Sequence, residues 1–186
     1  MKAWHFLRED MRLGYGDHRK VKVSEAITVD CDPVLCEAGL HGSVKPLDAL
    51  NYSPGPIVCI VEINGTIFEG ADKICGTSRK CIAMADATNT LHVFACWCAK
   101  RALRTADHTD ERAWDAISTK LRWLKGEATD NELAAASAAA SAAAWAAASA
   151  AARDAAWDAQ NNFLEWQLNR LFDTPRGRRT DASKET

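Results

Sequence analysis

The stretch Ile57-Val-Cys-Ile-Val-Glu-Ile63, followed by Asn64-Gly65 and Thr66-Ile-Phe-Glu69, decides the fold class of the first half of this chain. Its first seven residues form an apolar run that only Glu62 interrupts, and β-branched side chains of this kind favour strands. Asn-Gly is the pair preferred in two-residue type I′ hairpin turns. The sequence therefore predicts a strand over 57–63, a tight turn at Asn64-Gly65 and a returning strand over 66–69.

Further strand patterns lie on both sides of this segment. Lys2–Leu7 predicts a first strand, with Trp4 and Phe6 on one face and His5 on the other. Other extended or short strand candidates are residues 20–29, 73–75 and 80–84. Together they predict a small, mainly antiparallel sheet.

The apolar period changes to that of a helix at Asp86. Asp86 or Thr88 can cap a helix that runs to about Arg104, and Asp110 can cap another over 111–125. Thr129 and Glu132 have the spacing of a capping box, which predicts the start of a third helix.

An alanine tract dominates the chain from Glu132 to Ala159 and is interrupted about every fourth residue by Ser, Trp or Arg. Alanine has the highest helix propensity, and nothing breaks a helix before Asp173, so one long helix is predicted. No heptad pattern of large residues is present. We interpret the helix as an oligomerisation element anchored by Trp145, Trp157 and Trp166. The alternatives are a helix that folds back over its own domain, with Trp145 completing the core, and a low-complexity expansion without function.

The predicted fold class is therefore α+β, with a small mainly antiparallel sheet followed by helices and one long Ala-rich helix. The predicted domains are a ligand-binding domain over 1–106, a helical connector over 107–128, an oligomerisation helix over 129–173 and a disordered tail over 174–186.

Composition excludes several classes of function. The net charge of −2 provides no basic field for nucleic acid, so a nucleic-acid partner is not expected. The charged start lacks an apolar signal-peptide core, and the Ala-Ser tract is a poor membrane span. Seven cysteines without a secretion signal favour reduced thiols and a location in the host cytosol. A zinc site built from these cysteines with His41 or His92 is weaker than their interpretation as small apolar residues, and no metal or cofactor is expected.

Candidate ligand-binding residues lie in the first hundred positions. His41 is placed in Gly39-Leu-His-Gly-Ser43, where glycines allow close approach to a ligand and Ser43 offers a hydroxyl. Arg79 is placed in Gly76-Thr-Ser-Arg-Lys80, which we interpret as a phosphate-binding turn. The predicted pocket for a nucleotide-like molecule consists of Trp4, His5, His41, Ser43, Lys73 and Arg79, with Tyr52 as an alternative stacking residue.

No complete catalytic motif is present in the sequence, which contains neither a Walker sequence nor G-x-S-x-G nor H-E-x-x-H. Cys36 lies five residues before His41 and could act as a nucleophile if the fold brought the two within hydrogen-bond reach. We assign no catalytic residue, and binding is favoured over turnover.

The ordered run Leu35-Cys-Glu-Ala-Gly-Leu-His-Gly-Ser43, then Lys45-Pro-Leu-Asp-Ala-Leu-Asn-Tyr52, resembles an uncharacterised domain family of phage and prophage proteins. That family usually reads Cys-Glu-x-Gly-Phe-His-Ala-Cys before Pro-Leu-Asp. Leu40 here replaces the common Phe, and Gly42-Ser43 replaces Ala-Cys, which argues against a required cysteine at this place. The resemblance covers about residues 1–106 and implies a phage-type protein.

A second resemblance is to ADP-ribosyltransferase-type folds, which carry a His on the first strand, a Ser/Thr-rich motif and a late catalytic Glu. His5 and Ser43 fit the first two roles, but the late strand over 73–82 has no Glu. The His/Gly/Ser loop over 39–43, the missing acid and the Ala-rich helix together favour a homo-oligomer that sequesters a nucleotide-like molecule, such as a host-defence signal. The alternatives are an enzyme acting on NAD or ADP-ribose, with Glu62 or Glu69 as the acid, and a protein-interaction module acting through the Ala/Trp helix.

Overall fold

The computed structural model of the chain describes residues 1–14, 16–107, 109–144 and 153–173, with backbone only for 141–144 and 153–155. The chain divides into two compact units: Met1–Thr88 together with the chain from Asn161 onward, and Asn89–Gln160. The first unit contains a five-stranded antiparallel sheet, and helices follow it in sequence. The predicted α+β class is confirmed.

The first unit is built from five strands and one short helix before its late helical segment. The strand order is β1-β4-β5-β2, and β3 pairs with β5. The elements are β1 (Lys2–Leu7), β2 (Ala26–Thr28), β3 (Leu40–Gly42), α1 (Pro46–Asn51), β4 (Ile57–Glu69) and β5 (Ile74–Asp86).

The predicted hairpin turn at Asn64-Gly65 is wrong. Strand β4 continues through these residues, and the chain reverses later, where the Gly70 amide donates to the Lys73 carbonyl at 2.8 Å. The predicted short strands over 66–69, 73–75 and 80–84 are parts of the two long strands of this hairpin.

Gly65 instead forms a β-bulge. Asn64 pairs with Ser78 and Ile67 with Gly76, so Gly65 and Thr66 together oppose the single residue Thr77. Gly65 has a φ of +80°, a left-handed conformation that glycine adopts without steric cost. The Asn-Gly pair therefore favours a left-handed glycine, and a β-bulge accommodates this conformation as well as a turn does.

The two faces of the sheet bury different sets of side chains. Ala3 and Leu7 of β1 belong to the main apolar cluster, together with Cys59, Val61 and Ile63 of β4. Leu13 and Val21 from the loop after β1 also join this cluster. Because side chains alternate along a strand, His5 shares this core face, while Trp4 and Phe6 point to the other, as predicted.

The opposite face of the sheet packs against the part of the late helix α5 (Arg153–Asp173) that begins at Asn161. The Trp4 and Phe172 ring centroids are 6.3 Å apart, and Leu164 and Leu168 are fully buried. The Asn161 side-chain oxygen accepts a hydrogen bond of 3.0 Å from the Leu47 amide at the start of α1. The part of α5 from Asn161 onward is therefore an integral layer of the first unit.

The second unit contains helices α2 (Thr88–Thr105), α3 (Glu111–Leu124) and α4 (Asp130–Ala144), with the beginning of α5. The Asp110 side chain caps α3 by accepting from the Arg112 amide, as predicted. The predicted capping box of α4 is also confirmed, because Thr129 Oγ1 accepts from the Glu132 amide and Glu132 accepts from the Thr129 amide.

The Ala-rich segment is described as α4 and α5, and residues 145–152 between them lie outside the described residues. The predicted continuity of one helix through 145–152, the role of Trp145 and the predicted tail over 174–186 therefore concern residues that are not described. Trp157 is partly buried, and Trp166 is 51% exposed. Within the described part of the chain, no helix is both long and apolar enough to cross a membrane.

The cysteines are all free thiols. Cys59, Cys75, Cys81 and Cys96 are buried, Cys98 is half-buried, and Cys31 and Cys36 are exposed. Among the described residues, no three metal-ligating side chains are grouped in a way that could hold an ion.

Candidate functional site

A buried arginine lies at the centre of the candidate site. Arg79 is on β5, paired with Ile63 of β4 and Ile27 of β2, and is only 5% exposed. The predicted phosphate-binding turn over 76–80 is therefore wrong, because these residues are in the middle of a strand. The Arg79 side chain belongs instead to the core face of the sheet.

The Arg79 guanidinium has few polar partners for a buried charge. Its Nη1 donates a hydrogen bond of 2.6 Å to the His41 carbonyl, and no carboxylate of the described chain lies within 4 Å of it. Burial lowers the pKa of Arg79 to about 10, well above neutral pH, so the group is still cationic. Because guanidinium has five N–H donors and a full charge, this environment leaves donors that an anion could use.

His5 lies on β1 beside this cation. Burial holds the pKa of His5 well below its ordinary value, and the charges of Arg79 and His41 lower it further. His5 is therefore neutral at pH 7, and its imidazole can offer one donor and one acceptor.

His41 lies on β3 rather than in a glycine loop, and this strand was not predicted. Its Nε2 accepts a hydrogen bond of 3.2 Å from the Cys36 amide. Burial, together with the positive charges of Lys73 and Arg79, lowers the pKa of His41. The two histidines are thus close enough to affect each other electrostatically, and both are neutral beside Arg79.

Lys73 provides a second cation next to His41. Its Nζ lies 3.2 Å from the Cys36 sulfur and 3.5 Å from the centre of the Tyr52 ring. Burial alone would lower the pKa of Lys73, but its contacts with Tyr52 and Cys36 outweigh burial and raise it. The Tyr52 hydroxyl donates to the Asp72 carboxylate, which holds the ring in place below the ammonium.

Trp4 and Ser43 form a different contact. Their backbones exchange two hydrogen bonds, with Trp4 N to Ser43 O at 2.7 Å and Ser43 N to Trp4 O at 2.9 Å, which connects β1 to the end of β3. Ser43 is 2% exposed, and the Trp4 ring packs on Phe172 on the other side of the sheet. Of the six predicted ligand residues, the structure therefore brings His5, His41, Arg79 and Lys73 together.

Two clefts of the first unit are small. One of about 120 Å³ has Lys45, Asp48 and Lys73 among its lining residues, and one of about 190 Å³ lies next to Trp4 and Glu165. Ligand pockets usually measure about 300–1,000 Å³. A phosphate-sized group fits the cleft beside Lys73, but neither of these two clefts is lined by His5, His41 or Arg79.

Sequence reasoning did not find the contacts that organise the site. Lys73 and Cys36 are 37 positions apart, and Arg79 and His41 are 38 apart. No local pattern joins such pairs. The signal that could have placed Arg79 is the alternation of β5, since Cys75, Arg79 and Cys81 are all buried there.

Residues 1–93 match a family described as a domain of unknown function (DUF7666). The chain belongs to this family. The matched region of the DUF7666 domain contains all six predicted ligand residues and the Cys36–His41 motif, whereas the Ala-rich segment lies beyond it. Searches among curated proteins and among solved structures gave no match.

We expect His5 and His41 to make the folded protein less stable in mild acid. The pKa of His5 and of His41 is lowered in the folded state, while the unfolded value is about 6.5. Below that pH, His5 and His41 are protonated in the unfolded chain but stay neutral in the folded chain. We therefore expect the free energy of unfolding to fall as pH decreases below about 6.5, with a slope of up to about 1.4 kcal/mol per pH unit for each proton.

Denaturant titrations between about pH 7 and pH 5.5 measure this slope. His5→Gln is expected to flatten it, whereas His18→Gln, at an exposed position, should keep the wild-type slope. An unchanged slope in His5→Gln would contradict a neutral, buried His5.

Proposed function

We propose that this DUF7666 domain binds a small, anionic, nucleotide-like molecule at His5, His41, Lys73 and Arg79, and that it holds the molecule without converting it. The observation that carries the proposal is the buried Arg79 guanidinium, which contacts only the His41 carbonyl as a described hydrogen-bond partner. A charge in this setting is stabilised by an anion that provides the missing partner.

The chemistry of the cluster favours phosphate. Guanidinium binds phosphate oxygens through paired N–H donors, and an ammonium group such as that of Lys73 adds a point charge. Neutral His5 can donate one further hydrogen bond. Tyr52, half exposed beside Lys73, offers an aromatic edge against which a base or ribose could pack.

The position of one of the two candidate acids, Glu62, supports binding rather than turnover. In the enzymatic alternative, Glu62 or Glu69 would act as the catalytic acid. Glu62 pairs with Lys2 and therefore shares the Trp4 face of the sheet, opposite to His5. Glu69 lies at the end of β4 and lines the cleft near Lys73.

The wider proposal concerns the biological setting. We propose a phage-type protein that acts in the host cytosol as a homo-oligomer and sequesters a defence signal, with the Ala-rich segment as the self-association element. The described feature that supports self-association is Trp166, which is exposed and stacks with Phe163 at 5.9 Å between ring centroids. A protein-interaction module that uses the same helix face is the second candidate, and exposed tryptophan is typical of interface anchors.

Binding is tested by calorimetry on the full chain with inorganic phosphate, pyrophosphate, AMP, ADP-ribose, NAD and cyclic dinucleotides. We expect at least one phosphate-bearing compound to bind, and Lys73→Met to weaken its affinity by about tenfold or more, because a charge-assisted contact is lost. Lys80→Met is the matched control, since Lys80 is adjacent to Arg79 on β5 and points to the other face.

Three outcomes distinguish the candidate functions. Equal weakening by Lys73→Met and Lys80→Met would indicate general charge attraction and contradict the site. Recovery of an altered ligand after incubation would favour the enzyme, and release of nicotinamide from NAD would identify its reaction. No binding across the panel, with a molar mass by light scattering above the 20.3 kDa of one chain, would favour the interaction module.

A further inference from the structure

Cys36 and Cys75 lie beside the turn between β4 and β5, and Cys31 begins the loop that contacts this turn. The loop over 31–38 lies against this region, because a Cβ atom placed on Gly39 would be 3.2 Å from Pro33 Cβ and 3.3 Å from the Gly76 carbonyl. Leu35 of the same loop packs against Gly70 in the turn. Cys31 and Cys36 are therefore held close to the first residues of β5.

Cys36 combines exposure with a cationic neighbour. Its sulfur accepts a hydrogen bond from Lys73 Nζ at 3.2 Å, and its amide donates to His41 Nε2. The thiolate is the nucleophilic form of cysteine, and Lys73 places an ammonium group in contact with this sulfur. Exposure leaves the sulfur accessible to a small oxidant.

Cys75 lies near the exposed cysteines, Cys31 and Cys36. It pairs with His41 across β3 and β5, and His41 in turn contacts the Cys36 backbone. Burial raises the pKa of the Cys75 thiol, and Cys31 and Cys36 are both near enough to raise it further through their charge. Because Cys75 is buried and held as a thiol, Cys31 is the better partner for reaction with Cys36.

We propose that Cys36 is a peroxide-reactive cysteine and that Cys31 resolves its oxidised form into a Cys31–Cys36 disulfide. The Cys36 thiolate attacks one oxygen of a hydroperoxide, the O–O bond breaks, and the leaving oxygen takes a proton to become water or an alcohol. The Cys31 thiolate then attacks the sulfur of the Cys36 sulfenic acid, forming the S–S bond and releasing water. Two electrons pass from the two thiols to the peroxide, so the step is balanced.

This inference does not depend on the proposed ligand. It concerns the outer side of the cluster, where Lys73 contacts Cys36, while the anion proposal rests on Arg79. Lys73 is shared by the two proposals, and the two properties are measured separately because calorimetry follows anion binding and mass spectrometry follows oxidation.

The test is mass spectrometry of the reduced full chain after treatment with hydrogen peroxide and alkylation of the free thiols. We expect a Cys31–Cys36 disulfide to form first, and Cys31→Ser to accumulate Cys36 sulfenic acid that a dimedone-type reagent traps. Lys73→Met should slow oxidation of Cys36 by about tenfold, because it removes the ammonium group that contacts the reacting sulfur. Lys73→Arg should retain most of the wild-type rate.

Cys98 is the internal control, since it lies half-buried on α2 in the other unit. Oxidation of Cys36 no faster than that of Cys98, or an unchanged rate in Lys73→Met, would overturn the assignment of Cys36. A Cys36–Cys75 disulfide in place of Cys31–Cys36 would overturn the assignment of Cys31. Circular dichroism of each variant establishes that a slow rate does not come from unfolding.

Discussion

Replacing Leu168 by alanine is expected to lower the free energy of unfolding by about 2–5 kcal/mol. Leu168 is fully buried on α5, in the helical layer that covers the Trp4 face of the sheet. Truncation removes three carbon atoms, Cγ and its two methyl groups, and leaves a cavity that Leu164 and Phe172 can fill only in part. This loss is a large fraction of the stability of a domain of this size.

Urea denaturation of the full chain measures the effect of Leu168→Ala. The matched control is Asn162→Ala, an exposed position on the same helix, which should change stability by no more than about 0.5 kcal/mol. Equal and small effects of the two substitutions would mean that α5 does not form part of the core in solution.

Replacing Gly65 by alanine is expected to destabilise the fold by about 2–4 kcal/mol, the sum of two terms. The first is the left-handed backbone, with φ at +80°, which costs a residue with a Cβ atom about 1–2 kcal/mol. The second is a steric clash, because the new Cβ would lie 2.0 Å from Thr77 Oγ1. The Thr77 side chain must therefore rotate and give up its hydrogen bond from the Thr66 amide.

Two variants separate these terms. Gly126→Ala has a similar φ of +77° but no neighbour within 4 Å, so it should cost only the backbone term. Adding Thr77→Ala to Gly65→Ala should recover most of the clash term. If Gly65→Ala proved no more costly than Gly126→Ala, then Gly65 would not oppose Thr77 in the way described.

At Asn64-Gly65 the sequence correctly indicates a left-handed glycine, but the predicted element was a turn and the structure has a bulge. The pair requires a left-handed glycine, and the structure has one at this position. A turn and a bulge both use this conformation, and they differ in whether the following residues pair with the preceding strand or with another. That choice depends on the pairing of β4 with β5 over their full length.

The sequence suggests which residues form the candidate site but does not give their arrangement in space. His5, His41, Lys73 and Arg79 were each selected from charge, hydrogen-bonding capacity or neighbouring glycines. Arg79 was expected on an exposed turn, whereas it is buried, and its environment follows from strands that are distant in sequence.

The sequence by itself determined the local features of this protein: the α+β class, strand β1 and the caps of α3 and α4. These depend on propensity, alternation and hydrogen bonds between residues at most a few positions apart. Only the tertiary structure decided the long β4–β5 hairpin, the packing of α5 on the sheet and the neighbours of Arg79 and Cys36. These features depend on contacts between residues tens of positions apart, whose pairing is selected by burial of the whole core and has no signal in any local stretch.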